Sequence, residues 1–174
     1  MTRSRLRSGF SLIELMVTIA VIGFMMVLAL PSLGNASRTA RERGLMQQFV
    51  QDFTWARGAA GAGDASTLLA GTSGNPTLVV TLAADCHWTT TVNGVTDTTH
   101  STTLSQVNSQ ASGIACTSAM VGTTPALTYP ITFTFTPQGY VSSSGNVTAT
   151  GASTQVFQFN ILSSGSIIQG NSAS

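Results

Sequence analysis

Arg3-Ser4-Arg5-Leu6-Arg7-Ser8-Gly9-Phe10-Ser11-Leu12-Ile13-Glu14-Leu15-Met16-Val17-Thr18-Ile19-Ala20-Val21-Ile22-Gly23-Phe24-Met25-Met26-Val27-Leu28-Ala29-Leu30-Pro31-Ser32-Leu33 decides the fold of this 174-residue chain. Three arginines precede Gly9-Phe10, and an almost unbroken apolar run follows. A run of about 20 apolar residues is long enough to cross a bilayer as a helix. The run holds one ionised side chain, Glu14. A carboxylate in a membrane segment is costly and calls for a partner charge and a function. A cut after Gly9 would supply that partner by freeing an α-amino group on Phe10. Glu14 of one copy could then pair with the Phe10 amine of a neighbour in a helical array.

Two plainer readings fit less well. A secretory signal peptide places an A-x-A-like cleavage site after its apolar core. Here Leu30-Pro31-Ser32-Leu33-Gly34-Asn35-Ala36-Ser37 makes a poor site. A simple anchor would accept the cytoplasmic arginines but would leave Glu14 without a purpose.

The stretch Arg7-Ser8-Gly9-Phe10-Ser11-Leu12-Ile13-Glu14-Leu15 resembles the leader and methylation motif of type IV prepilins and type II secretion pseudopilins. The family's pattern is Gly, a Phe that becomes N-methylated, then T/S-L-[IVL]-E. The resemblance implies that a prepilin peptidase cuts between Gly9 and Phe10 and methylates the new amine, with Glu14 serving assembly. Pro31 resembles the family's helix-kinking proline, whose missing N–H and ring clash bend a helix.

Charge outside this segment is sparse. All seven basic residues are arginines, at 3, 5, 7, 38, 41, 43 and 57, and none follows Arg57. Without residues 1–9, four arginines face six acids, a formal side-chain charge of −2. The positive-inside rule keeps the arginine leader in the cytoplasm and sends the rest across the inner membrane. Cys86 and Cys116 then lie in an oxidising periplasm, where a bridge closing the loop between them would contribute about 3–4 kcal/mol in the chain-entropy model. Two free thiols remain the alternative.

The pattern predicts one long helix from about Phe10 to about Gly58, apolar on all sides to Leu30 and amphipathic afterwards. Met46, Phe49, Val50, Phe53 and Ala56 recur at spacings of three and four, with Arg41, Glu42, Gln47, Gln48 and Asp52 assigned to other faces. Gly58, Gly61 and Gly63 are expected to end it. Strand patterns follow at Thr77–Leu82, at Trp88–Val92 and Val95–Thr99 around the hairpin signal Asn93-Gly94, at Ile131–Phe135, at Val156–Ile161 and near Ser166–Gln169. Residues 99–128 read as a long loop with one strand near Ile114–Cys116. The expected fold is α+β: leader 1–9, membrane and assembly helix 10–33, its amphipathic continuation 34–60, and a β-rich periplasmic head 61–174 with antiparallel sheet packed on the helix. Gln48–Arg57, the Phe133–Gly139 stretch Phe-x-Phe-x-Pro-x-Gly and a last strand after a Ser-Gly turn are similar to the GspH/FimT/FimU group of minor pilins and pseudopilins.

No pattern points to catalysis. His87, His100, Cys86, Cys116 and Asp85 lack the C-x-x-C or H-x-x-x-H spacing of a metal site, so neither metal nor cofactor is expected. Cys86 beside His87 is no nucleophile–base pair if they lie on a strand, where adjacent side chains oppose. Phosphate-loop and G-x-S-x-G motifs are lacking. Some relatives in the resembled group bind DNA through arginines of the last strand; here Ser166 and Ile168 occupy those places. Without Lys or Arg the head lacks the main source of phosphate affinity, and no nucleic-acid partner is expected. The resemblance implies a non-enzymatic minor subunit that primes or caps a type IV pilus or a secretion pseudopilus. Its partners would be other major and minor pilins or pseudopilins, the prepilin peptidase, an inner-membrane assembly platform and membrane lipid. An adhesive or substrate-sensing tip is a second reading of the Thr/Ser-rich head.

Overall fold

The structure, a computed structural model, describes residues 11–62, 76–118 and 126–170, without the side chains of 27–33. The chain divides into two compact units, Met1–Ser37 and Arg38–Ser174. Helix α1 (Leu12–Ala62) supplies the described part of the first unit and opens the second. It does not stop at Gly58. Ala56 and Ala60 are buried and Ala59 is half-buried against the core, and alanine is the strongest helix former. Helix propensity and burial together carry α1 through Gly58 and Gly61.

The second unit holds two four-stranded antiparallel sheets. The first has the order β3-β2-β1-β5, from β1 (Leu78–Leu82), β2 (Trp88–Val92), β3 (Val95–Asp97) and β5 (Ile131–Phe135). The second has the order β4-β6-β7-β8, from β4 (Ala115–Thr117), β6 (Gly145–Thr150), β7 (Val156–Ile161) and β8 (Ile167–Gly170). Strict alternation sorts the side chains. Leu78, Val80 and Leu82 of β1, and Ile131, Phe133 and Phe135 of β5, face inward, with Thr81 opposite Thr89 and Thr132 on the outer face. Asn93 and Gly94 both have positive φ, 52° and 80°, which a tight two-residue hairpin requires.

The amphipathic half of α1 lies between the sheets. Leu45, Met46, Phe49, Phe53 and Ala56 are buried and Val50 is half-buried. Phe49 reaches both layers, with its ring 5.3 Å from Trp88 and 6.1 Å from Phe159. The sheets meet at one corner through the Cys86–Cys116 disulfide, Cα–Cα 5.2 Å. Beside it the Cys116 N–H donates to Ala84 O at 2.7 Å. At another point Val141 N–H donates to Ser163 O at 3.0 Å.

Three further features depart from the sequence expectation. The supposed loop 99–128 contains helix α2 (Leu104–Ala111), started by a capping box between Thr103 and Gln106. Strand β6, absent from the strand patterns above, buries only Gly145, Val147 and Ala149, too little side chain to form a visible apolar run. Glu42 and Asp52, assigned to faces other than the apolar stripe, are buried, 2% and 7% exposed. Both fall on the same three-and-four spacing as the apolar stripe.

Candidate functional site

Leu12 to Met26 form the most unusual surface of the molecule. Every residue from Ser11 to Met26 is exposed, including Leu12, Ile13, Leu15, Met16, Ile19, Ile22, Phe24, Met25 and Met26. Burying one such side chain is worth about 1.5–3 kcal/mol, so a rod bare on every side calls for lipid or other helices around it. Polar groups on the rod are few. Thr18 returns its hydroxyl to Leu15 O at 2.8 Å, which removes a free donor. Among the described residues, no helix is long and apolar enough to cross a membrane; their side chains cover this segment only through Met26.

Glu14 sits in the first turn of α1, its N–H donating to Ser11 O at 3.0 Å, as does that of Leu15 at 3.2 Å. A carboxylate there complements the positive end of the helix dipole. Ser11-Leu12-Ile13-Glu14 also has the S-x-x-E spacing of a capping box. Local roles at the helix start therefore stand beside any pairing with a neighbour. Gly9 and Phe10 lie outside the described residues. Pro31 falls within the span of α1, but its side chain is likewise outside the description.

In the head, several polar groups are joined in small sets. Asp85, Cys86 and His87 occupy the turn between β1 and β2, not a strand, with Cys86 at φ 62°. His87 Nδ1 meets Asp85 Oδ1 at 2.5 Å, and the Cys86 sulfur is bonded to Cys116. His100 Nδ1 meets Asp97 Oδ2 at 2.7 Å, and the His100 ring stacks on Trp55 of α1, centroids 3.5 Å apart. Burial pushes the Asp97 carboxyl up, but the hydrogen bonds from His100 and the Thr99 N–H outweigh it and hold the group below its ordinary value. Asp52 goes the other way. Burial raises its pKa, and the hydrogen bond from Trp88 Nε1 at 2.9 Å only partly offsets the rise. Burial also raises the Tyr129 phenol to about 12.

Glu42 accepts hydrogen bonds from the Ser153 N–H and hydroxyl, fixing α1 to the turn between β6 and β7. Arg57 lies over Gly139 and Gly165, and its Nη1 donates to Ser166 Oγ at 3.1 Å. Gly165 has φ 71°, and a Cβ there would collide with Gly139 O, so only glycine fits. Among the described residues no group of three or more His, Cys, Asp and Glu side chains is placed to hold a metal ion. The arrangement in the head locks elements together, while the exposed apolar rod with its one carboxylate is the surface that demands a partner.

Residues 4–30 match the family model described as the prokaryotic N-terminal methylation motif. This is the prepilin signal of type IV pilin-like proteins. No match was found among curated proteins or solved structures.

Proposed function

We propose that this chain is a non-enzymatic minor pilin or pseudopilin of the GspH/FimT/FimU type. A prepilin peptidase removes residues 1–9 and methylates Phe10. Residues 10–33 hold the subunit in the inner membrane in a single pass, with the head in the periplasm. An inner-membrane platform then joins it to other major and minor subunits, where it primes or caps a type IV pilus or a type II secretion pseudopilus.

The observation that carries this reading is the rod from Leu12 to Met26, exposed on all sides and bearing one carboxylate. Lipid covers such a rod before assembly, and neighbouring helices cover it afterwards. In either setting the Glu14 charge attracts an opposite charge far more strongly than it would in water, and the freed Phe10 amine of a neighbour provides one. The methylation motif over residues 4–30 supports the same assignment.

The test is mass spectrometry of the full chain from cells with active prepilin peptidase. The terminus should be N-methylated Phe10, and Gly9→Val should leave the leader attached. A wild-type protein starting at Met1 or Thr2 refutes the proposal.

A further inference from the structure

A cleft of about 420 Å³ opens between α1 and the last turn of α2, lined by Arg38, Arg41, Glu42, Asn108, Ser109 and Ser112 among others. Its two walls differ in electrical character. On one side Arg38 and Arg41 are exposed, and neither has a carboxylate partner among the described residues. Guanidinium forks match phosphate oxygens in geometry and charge. Glu42 does not neutralise them within ion-pair distance; its carboxylate is buried and engaged by Ser153.

The facing wall is the C-terminal turn of α2, the electronegative end of a helix, and it carries no basic residue. An anion alone would be drawn to the first wall and repelled by the second. A ligand with a phosphate next to a cationic N–H donor satisfies both.

The spacing of charges gives the cleft a depth. No charged residue lies between Glu14 and Arg38. In the anchored reading residues 10–33 occupy the membrane, and a hydrocarbon core about 30 Å thick takes about 20 helical residues, so Arg38 and Arg41 follow the span within a few residues. With the leader in the cytoplasm, Arg38 and Arg41 therefore reach the headgroup layer of the outer leaflet. We infer that this cleft binds the headgroup of phosphatidylethanolamine, its phosphodiester on Arg38 and Arg41 and its ammonium against the end of α2. The inference rests on the membrane-anchored reading above.

Native mass spectrometry of the full chain in detergent, offered equal amounts of phosphatidylethanolamine, phosphatidylglycerol and phosphatidylcholine, tests it. Phosphatidylethanolamine should be retained several-fold over the other two. The double variant Arg38→Gln/Arg41→Gln should lower that retention about tenfold, the combined effect of losing two exposed charge contacts of modest strength. Ser109→Lys, which puts a cation on the α2 wall, should shift the preference to phosphatidylglycerol. Millimolar glycerophosphoethanolamine should displace the lipid, and inorganic phosphate should not. Equal retention of the three lipids, no response to the arginine changes, or displacement by phosphate alone would overturn the assignment. Release of the chain from membranes by alkaline carbonate would sink the anchored reading with it. A carbonate-resistant chain without lipid preference would sink only the cleft.

Discussion

Replacing Phe53 by alanine tests the packing of α1 against β5. The side chain is fully buried, and its ring centroid lies 4.9 Å from Phe135, 5.3 Å from Phe133 and 5.9 Å from Phe49. Aromatic-to-alanine changes in cores cost about 3–5 kcal/mol. Edge-on aromatic pairs add about 0.5–1.5 kcal/mol each beyond area, which puts Phe53→Ala near the top of that range, about 4–5 kcal/mol. Phe53→Leu keeps much of the volume and should cost about 1–2 kcal/mol. The assay is urea unfolding of residues 38–174, the compact second unit, followed by the fluorescence of Trp55 and Trp88. With a slope of about 2 kcal/mol per molar, the alanine variant should unfold about 2 M earlier. A shift below about 0.5 M with unchanged slope would mean that the ring is not clamped between α1 and β5, and the packing described above would be wrong.

Other expectations follow from single groups. Glu14→Val should be processed normally but recruited poorly to filaments or to its partner subunits; wild-type amounts in sheared filaments and unchanged crosslinks would remove Glu14 from assembly. Asp52 has a folded pKa above its ordinary 3.8, so the folded state holds that proton more tightly and its contribution to stability falls as pH rises above about 3.8. Asp52→Asn, which still accepts from Trp88 Nε1, should be no less stable than wild type at pH 7 and should flatten that decline; a marked loss at pH 7 would show the charge to be stabilising. Asp97 titrates in the opposite sense, since its pKa is lowered: Asp97→Asn should lose stability near neutrality, with the difference from wild type vanishing as pH falls below about 3.8. Duplex DNA should not bind residues 38–174 detectably at about 150 mM salt, and a dissociation constant below about 10⁻⁶ M, tighter than ordinary non-specific binding, would revive a role in DNA uptake.

The elements with full-sized alternating side chains are legible in the sequence. Ile131–Phe135 and Val156–Ile161 match their strands to the residue, and Asn93-Gly94 locates its hairpin, because local pattern and turn chemistry agree there. Strand β6 escapes because glycine, valine and alanine do its inward work. Helix α2 leaves only a faint signal inside a polar stretch: Thr103-x-x-Gln106, followed by Val107 and Ala111 at helical spacing, the two residues it buries. The burial of Glu42 is out of reach for a different reason. Its partner Ser153 is 111 positions away, and no local pattern marks an acid that a distant turn will accept. The candidate assembly segment is readable because it is local: one charge in an apolar run, at a fixed distance from Gly9-Phe10. The cleft at Arg38 and Arg41 is not, since α2 forms its other wall.

The Cys86–Cys116 bond ties the turn ahead of β2 in one sheet to β4 in the other, two layers that share no strand ladder. Pulled from outside, packed side chains come apart singly, and a short backbone hydrogen bond such as Cys116 to Ala84 yields with them. The covalent link does not. A load applied to the second sheet therefore passes into the first at this corner, and separating the layers there takes a reductant, which thermal motion cannot replace.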